Sequence, residues 1–356
     1  MIALIGLAGA YAVSLGTAEP DLHAVAAGTW VPMPPSGLAG RAGPSVVWTR
    51  RAMIVWGGET DAGPAADGAS FDVDTAAWTP LAPAPLAPRR GHTAVWTGTR
   101  MIVWGGFGPD VLGDGAAYNP ITDTWTPIAP APIDARGDHS AVWVRNRMIV
   151  WGGAGDGGVP LGDGAAYDPA TDTWAVLPPA PLEAGAGQRA VASIDRMLVW
   201  GGRAGAIYNP ADDTWTAMAA APPALLGGDG FVSVWTGAQL LVWGGGGSDA
   251  GAAYTPNTDT WAPLAPSPLR GRVGAGAVWT GRDLLVWGGF DGEVRSDGAL
   301  YNPAANAWSP LAPSPLAGRQ QPAIVWTGQQ LLVWGGAGQG ADPKLADGAV
   351  LTLRAA

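Results

Sequence analysis

Residues 93–128 read TAVWTGTRMIVWGGFGPDVLGDGAAYNPITDTWTPI. Four short runs rich in Val, Ile, Trp and Tyr lie within them, at 93–97, 100–104, 115–118 and 124–128, separated by Gly, Pro and Asp turns. Each run is too short for a helix and has the composition of a strand. The pattern is not local. A Trp-Gly-Gly triplet ends at Gly58, Gly106, Gly153, Gly202, Gly245, Gly289 and Gly336, every 43 to 49 residues. Self-similarity at such a period marks an array whose units bury their apolar faces only against neighbours. No stretch carries a helical period, so the chain is expected to be all-β.

A double glycine closing the second run, an aromatic on the third and a Trp on the fourth resemble the Kelch motif. The aromatic precedes the Trp by seven residues in six copies: Phe71 and Trp78, Tyr118 and Trp125, Tyr167 and Trp174, Tyr208 and Trp215, Tyr254 and Trp261, Tyr301 and Trp308. The resemblance extends over residues 29–354. It implies a β-propeller of four-stranded antiparallel blades, with strands a to d in each blade, around a central channel. The seventh copy has Leu351 at the aromatic position and ends before a Trp. Residues 29–33, with Trp30, read as a strand d lacking its a, b and c. The N-terminal strand is therefore expected to complete the last blade, giving seven blades and removing two open sheet edges.

This register places all 20 Trp: seven in the triplets, seven on strands d, and six at the end of strands a, where Ala192 takes the remaining slot. Repeat-locked Trp is expected in the blade cores rather than at a ligand. The paired glycines are expected to supply positive φ or close approach of the next blade.

Length alone suggests two domains, but the unbroken repeat points to one propeller over residues 23–356, long enough for a continuous core. The chain carries a net charge of −10 and a single lysine, Lys344, which argues against nucleic acid and anionic membranes as partners. With no cysteine there are no disulfides, thiolate metal sites or cysteine nucleophiles. Residues 1–22 contain an apolar run at 2–15 of signal-peptide length, too short for a membrane span. They are expected to be a signal peptide or apolar N-terminal segment, which would make the protein periplasmic or secreted. A monomer is expected.

The three histidines, His23, His92 and His139, make a catalytic audit short. No nucleophile elbow, zincin helix or Walker loop occurs. Residues 153–158 match a dinucleotide fingerprint in letters only, because no helix follows. The copper chemistry of galactose oxidase, a Kelch propeller, needs a Tyr-Cys crosslink that a chain without cysteine cannot form. No catalytic residue, metal site or cofactor is assigned. His92 and His139 each lie four residues before the Trp of strand a in adjacent blades, placing two imidazoles at the inner rim as packing or ligand groups, with Asp138 and Asp110 nearby.

Comparison among the copies gives a further pattern. An Arg precedes the strand-a Trp by seven residues in blades 1, 2, 3, 6 and 7 (Arg41, Arg89, Arg136, Arg272, Arg319). The same five blades open strand c with Asp-Gly, at Asp67, Asp114, Asp163, Asp297 and Asp347. Blades 4 and 5 lack both. The d–a and b–c loops share one face, so each Arg is expected to pair with the Asp of its own blade, stapling the loop. The short b–c loops of blades 4 and 5, at Arg203-Ala204 and residues 246–250, would leave that face low on one side. Long loops elsewhere would form a wall carrying Asp110, Asp156, Asp291, Glu293 and Arg295 as unpaired charges. Those residues with His92, Asp138, His139 and Arg203 are the candidate binding set. The expected function is non-catalytic binding of a protein or glycan through this face. The alternative is a carbohydrate-active enzyme, of the mutarotase, epimerase or lyase kind, using the same face.

Overall fold

The computed structural model describes residues 28–353 apart from 186, 226–229 and 341–342. The apolar N-terminal run lies outside the described residues. Within them, seven four-stranded antiparallel sheets follow one another along the chain. Blade 2 consists of Thr93–Trp96 (a), Met101–Phe107 (b), Val111–Asn119 (c) and Thr124–Pro127 (d), in the order a-b-c-d. Its b and c strands run past the glycine doublet, with a register shift between Trp104 and Gly106, so this hairpin is longer than its apolar run. Two 3₁₀ turns, Asp156–Gly158 and Pro223–Leu225, are the helical elements among the described residues. Residues 153–158 accordingly form a bridge and one such turn, with no phosphate-binding helix.

The a strands touch one another in sequence around the ring, and the seventh touches the first. Closure occurs as the sequence indicates. Gly28–Pro32 pairs with Gly348–Leu353, opposing Trp30 to Leu351, as Trp125 opposes Tyr118. The last blade therefore takes its outer strand from the start of the chain.

Burial explains why the repeat needs its neighbours. In place of one continuous core there are seven clusters, each between two adjacent blades. The strand-b tryptophans are 0–1% exposed. Each packs on the strand-d Trp of the following blade, with centroids 4.7–6.0 Å apart. Such contacts add about 0.5–1.5 kcal/mol each beyond area burial.

A polar latch crosses most of these boundaries. Tyr118 donates to Asp123 at 2.8 Å; Asp123 accepts from the backbone N–H of Ala82 in blade 1, and Trp125 donates to the Ala82 carbonyl. Asp172, Asp259 and Asn306 repeat the arrangement. Blade 1 has Phe71 and Ala76 in those places, and the Trp78 indole N–H is without a partner. The boundary between blades 7 and 1 therefore lacks the latch.

Candidate binding face

The five arginines build the d–a/b–c face from beneath. Each is 0–2% exposed and sits 2.6–2.9 Å from the Asp of its own blade. The guanidinium also donates to the carbonyl of the first doublet glycine, as Arg136 does to Gly152 at 3.1 Å. The Asp partners are 48–61% exposed, so the charge pairs are buried on one side only. The second doublet glycine points the other way: the N–H of Gly106 donates to the Arg136 carbonyl in the next blade at 2.8 Å. Both glycines have positive φ, 69° and 109°. A Cβ on Gly105 would lie 2.7 Å from the His139 ring. One residue pair thus joins the Arg of its own blade and the backbone of the next.

The staple has a consequence the sequence did not reveal. In the five Arg-bearing blades the residue after Arg bridges to the b–c loop, which pairs with its own return segment. Blade 1 shows this as a three-stranded sheet of Arg41–Ala42, Glu59–Thr60 and Gly63–Pro64. Bridges repeat it at Arg90 and Phe107, Gly137 and Ala154, Val273 and Phe290, and Gln320 and Ala337. Among the described residues blades 4 and 5 have no such layer. The face is high over five blades and low over two.

Two residues after Arg, every blade enters the left-handed region. Five hold glycine there, Gly43, Gly91, Gly187, Gly230 and Gly274, whereas blades 3 and 7 hold Asp138 at φ 51° and Gln321 at φ 52°. A side chain in this conformation costs free energy, least for Asp and Asn, so these two positions depart from what five blades carry. A Cβ on Gly91 would come within 2.7 Å of Asp138 Oδ1. The Asp138 carboxylate therefore leans over blade 2.

The next position explains both histidines. Across the seven blades it holds Pro44, His92, His139, Gln188, Phe231, Ala275 and Pro322. His92 and His139 are 8% and 6% exposed and stand edge-on against Trp56 and Trp104 of the preceding blade, 5.1 and 5.0 Å away. Gln188 bonds Trp151 Nε1 at 2.8 Å and the Glu183 carbonyl at 3.0 Å. His139 Nε2 meets Thr93 Oγ1 at 2.8 Å. Burial, reinforced by the charges of Arg89 and Arg136, depresses both imidazoles to about 3. They are neutral inter-blade packing groups at physiological pH.

Where the a strands begin, all seven blades contribute to a central funnel of about 1030 Å³. Glu59, Arg90, Asp138, Arg189 and Lys344 are its charged groups. Arg90 stacks on Phe107 at 5.5 Å and approaches Glu59 at 3.3 Å. Across from them blades 5 and 6 present Phe231, Val232, Ser233 and residues 274–277. Blades 1, 2, 3, 4 and 7 thus bring charged groups to the funnel, and blades 5 and 6 bring none. Among the described lining residues there is no Trp or Tyr.

The structure divides the candidate set. Asp138, His92 and His139 reach the funnel wall, with only Asp138 exposed. Asp110 and Asp156 lie apart, lining a smaller cavity of about 490 Å³ between blades 2 and 3 with Asp134. Arg203 is exposed on the low side. Asp291, Glu293 and Arg295 are not the unpaired charges expected: Arg295 bonds Asp291 at 2.7 Å and lies 3.4 Å from Glu293. The b–c hairpin of blade 6 folds them together. Arg189 and Gln321 were missed. Their signal was available in the repeats, as a charge and an amide at positions where most copies carry small or uncharged residues.

The chain matches the family model described as the KLHDC2/KLHL20/DRC7 Kelch-repeats domain over residues 9–202, more than half its length. A search of curated proteins finds no match.

Proposed function

The chain belongs to the Kelch-repeat family, and from that premise we propose that it is a binding protein that engages a partner protein through the central funnel. The observation that carries this reading is the asymmetry of the funnel, walled by five stapled blades and open over blades 4 and 5. A concave, mixed surface with one low side admits an extended segment of a partner. A protein is favoured over a glycan because sugar-stacking platforms need an exposed aromatic face, and the described lining offers no Trp or Tyr. The enzymatic alternative would use His92, His139 and rim acids for proton transfer. With both buried and depressed to about 3, neither imidazole suits acid–base work near neutrality.

The test removes side chains from the funnel without disturbing the ring. Asp138→Gly with Gln321→Gly restores the residue that the other five blades carry, so the variant should fold as stably as the parent. Partner capture by crosslinking should fall at least about tenfold, corresponding to ~1.4 kcal/mol. Ile121→Glu, at an 88% exposed turn on the opposite face, should leave capture unchanged. Capture lost in Ile121→Glu and retained in the double variant would reject the funnel as the site.

A further inference from the structure

The polar latch joins the outer rims of neighbouring blades through a Tyr on strand c, an Asp or Asn two residues before the strand-d Trp, the indole of that Trp, and the backbone of the residue four places after the Trp of the preceding blade. Ala82, Ala129, Ala219 and Ala265 are those backbone residues where the latch is complete, between blades 1 and 2, 2 and 3, 4 and 5, and 5 and 6. Between blades 3 and 4 Tyr208 still bonds Asp213 and Trp215 still donates to the Pro178 carbonyl at 3.0 Å, but proline has no N–H to give. Blade 7 departs on both sides. Toward blade 6 it keeps only the Trp30 indole bond to the Ala312 carbonyl, with Leu351 and Gly28 in the Tyr and Asp places. Toward blade 1 no part remains: Phe71 has no hydroxyl, Ala76 no carboxylate and Pro34 no N–H, and the Trp78 indole N–H is buried without a partner.

Ala76 keeps the backbone of a latch residue, with φ 51° beside 45–57° for Asp123, Asp172, Asp213, Asp259 and Asn306. Asp and Asn adopt this left-handed conformation more readily than Ala, so blade 1 carries the cost of the geometry without its bonds. On the funnel side the same boundary is tied. Gly336 N–H donates to the Arg41 carbonyl at 2.8 Å, Arg41 N–H to Leu345 at 3.1 Å and Gly43 N–H to Gln321 at 3.0 Å. The Asp61 carboxylate accepts from Lys344 N–H at 3.2 Å. At the outer rim of blade 7 the contacts are chiefly apolar: Trp78 on Trp334 at 5.7 Å, and Trp30 on Trp287 at 6.0 Å, the widest of the seven strand-b to strand-d Trp pairs.

We propose that the outer half of blade 7, Gly28–Pro32 with Gly348–Leu353, is a strap that opens and recloses while the other six blades and the funnel stay folded. Sub-global opening begins where few bonds must break, and the rim of blade 7 holds fewer inter-blade hydrogen bonds than any other. The funnel-side bonds act as the hinge. Opening uncovers the apolar slot between blades 7 and 1, where Phe71, Trp78 and Trp334 pack together. The strap works independently of what the funnel binds.

Native-state hydrogen exchange, resolved to peptides by mass spectrometry, reads the opening. In the parent, the amides of residues 28–32 and 348–353 should exchange at least about tenfold faster than those of the matching strands of blade 3, Thr173–Val176 and Gly164–Asp168, a factor of the size that one or two hydrogen bonds supply. Chain ends also fray, so a latch graft separates a loose end from a missing latch. Pro34→Ala, Phe71→Tyr and Ala76→Asp together supply the absent parts, and should slow exchange of both segments at least about tenfold while blade 3 is unchanged. Phe71→Tyr with Ala76→Asp alone copies the Tyr208, Asp213 and Pro178 arrangement between blades 3 and 4, and should slow both segments by a smaller factor even if the triple variant fails to fold. Ala76→Gly relieves the backbone without adding a bond, and should leave the two segments as fast as in the parent. Equal exchange in blades 7 and 3 of the parent would overturn the proposal. So would parent-like exchange in the grafted variants, or equal slowing by Ala76→Gly.

Discussion

A fully buried guanidinium held by a half-exposed carboxylate makes a definite prediction at the residue scale. Arg136 donates to three backbone carbonyls, of Asp134, Gly152 and Asp163, as well as approaching the Asp163 carboxylate at 2.8 Å. Asp163→Ala should therefore leave a buried cation partly satisfied, at a cost of about 1–3 kcal/mol. Arg136→Gly should cost at least as much through lost packing. Blade 4 already carries both replacements, as Gly185 and Ala204. The double variant should fold, and urea unfolding should show a coupling of roughly 1–2 kcal/mol, discounted for the exposure of Asp163. Strict additivity would mean that the pair does not act as a staple. The histidines give a pH prediction. Each is neutral when folded down to about 3, whereas an unfolded histidine protonates near 6.5. The unfolded state then binds more protons below 6.5, so their contribution to stability is complete above that value and declines as pH falls toward 3. His139→Gln, which copies Gln188 of the neighbouring blade, should make stability measurably less acid-sensitive across this window. An unchanged acid profile would contradict the burial of a neutral imidazole.

Elements show where the sequence was legible and where it was not. Each strand was visible because an apolar run of four or five residues had turn residues at both ends. The Arg–Asp staple was visible because both members are absent from the same two blades. The small sheet above each staple was not, because residues such as Ala42 and Glu59 have no strand pattern and pair only once the Arg has fixed the loop. The histidines were legible only as packing or ligand groups, because a polar residue just before strand a can face the rim or turn inward. In three dimensions both turn inward onto the previous blade's Trp. Asp138 was named beside the histidines, and Gln321 was recoverable in principle: aligning the repeats puts both in a column otherwise made of glycine. Their left-handed backbone, which makes the substitution notable, appears only in the structure.

On the scale of the whole molecule, seven inter-blade clusters share the work of a core, and each is complete only if the ring is closed. Closure depends on one outer strand contributed from the start of the chain, in a blade with Leu351 at the Tyr position and next to a boundary where blade 1 has Phe71 and Ala76. The funnel belongs to no single blade, so its geometry depends on the same closure. The most direct measurement compares the thermal unfolding and hydrodynamic size of chains beginning at Gly28 and at Gly37. Loss of residues 28–36 removes Trp30 from its place against Trp287 and opens a sheet edge. Trp30 is half-buried, so loss of the indole costs less than the ~3–5 kcal/mol of a fully buried Trp, and the lost strand pairing adds to it. The shorter chain is predicted to unfold at clearly lower temperature and to aggregate, while the longer one remains folded. Two chains of equal stability and equal size would contradict a ring closed by its first strand, and with it the seven-sided funnel.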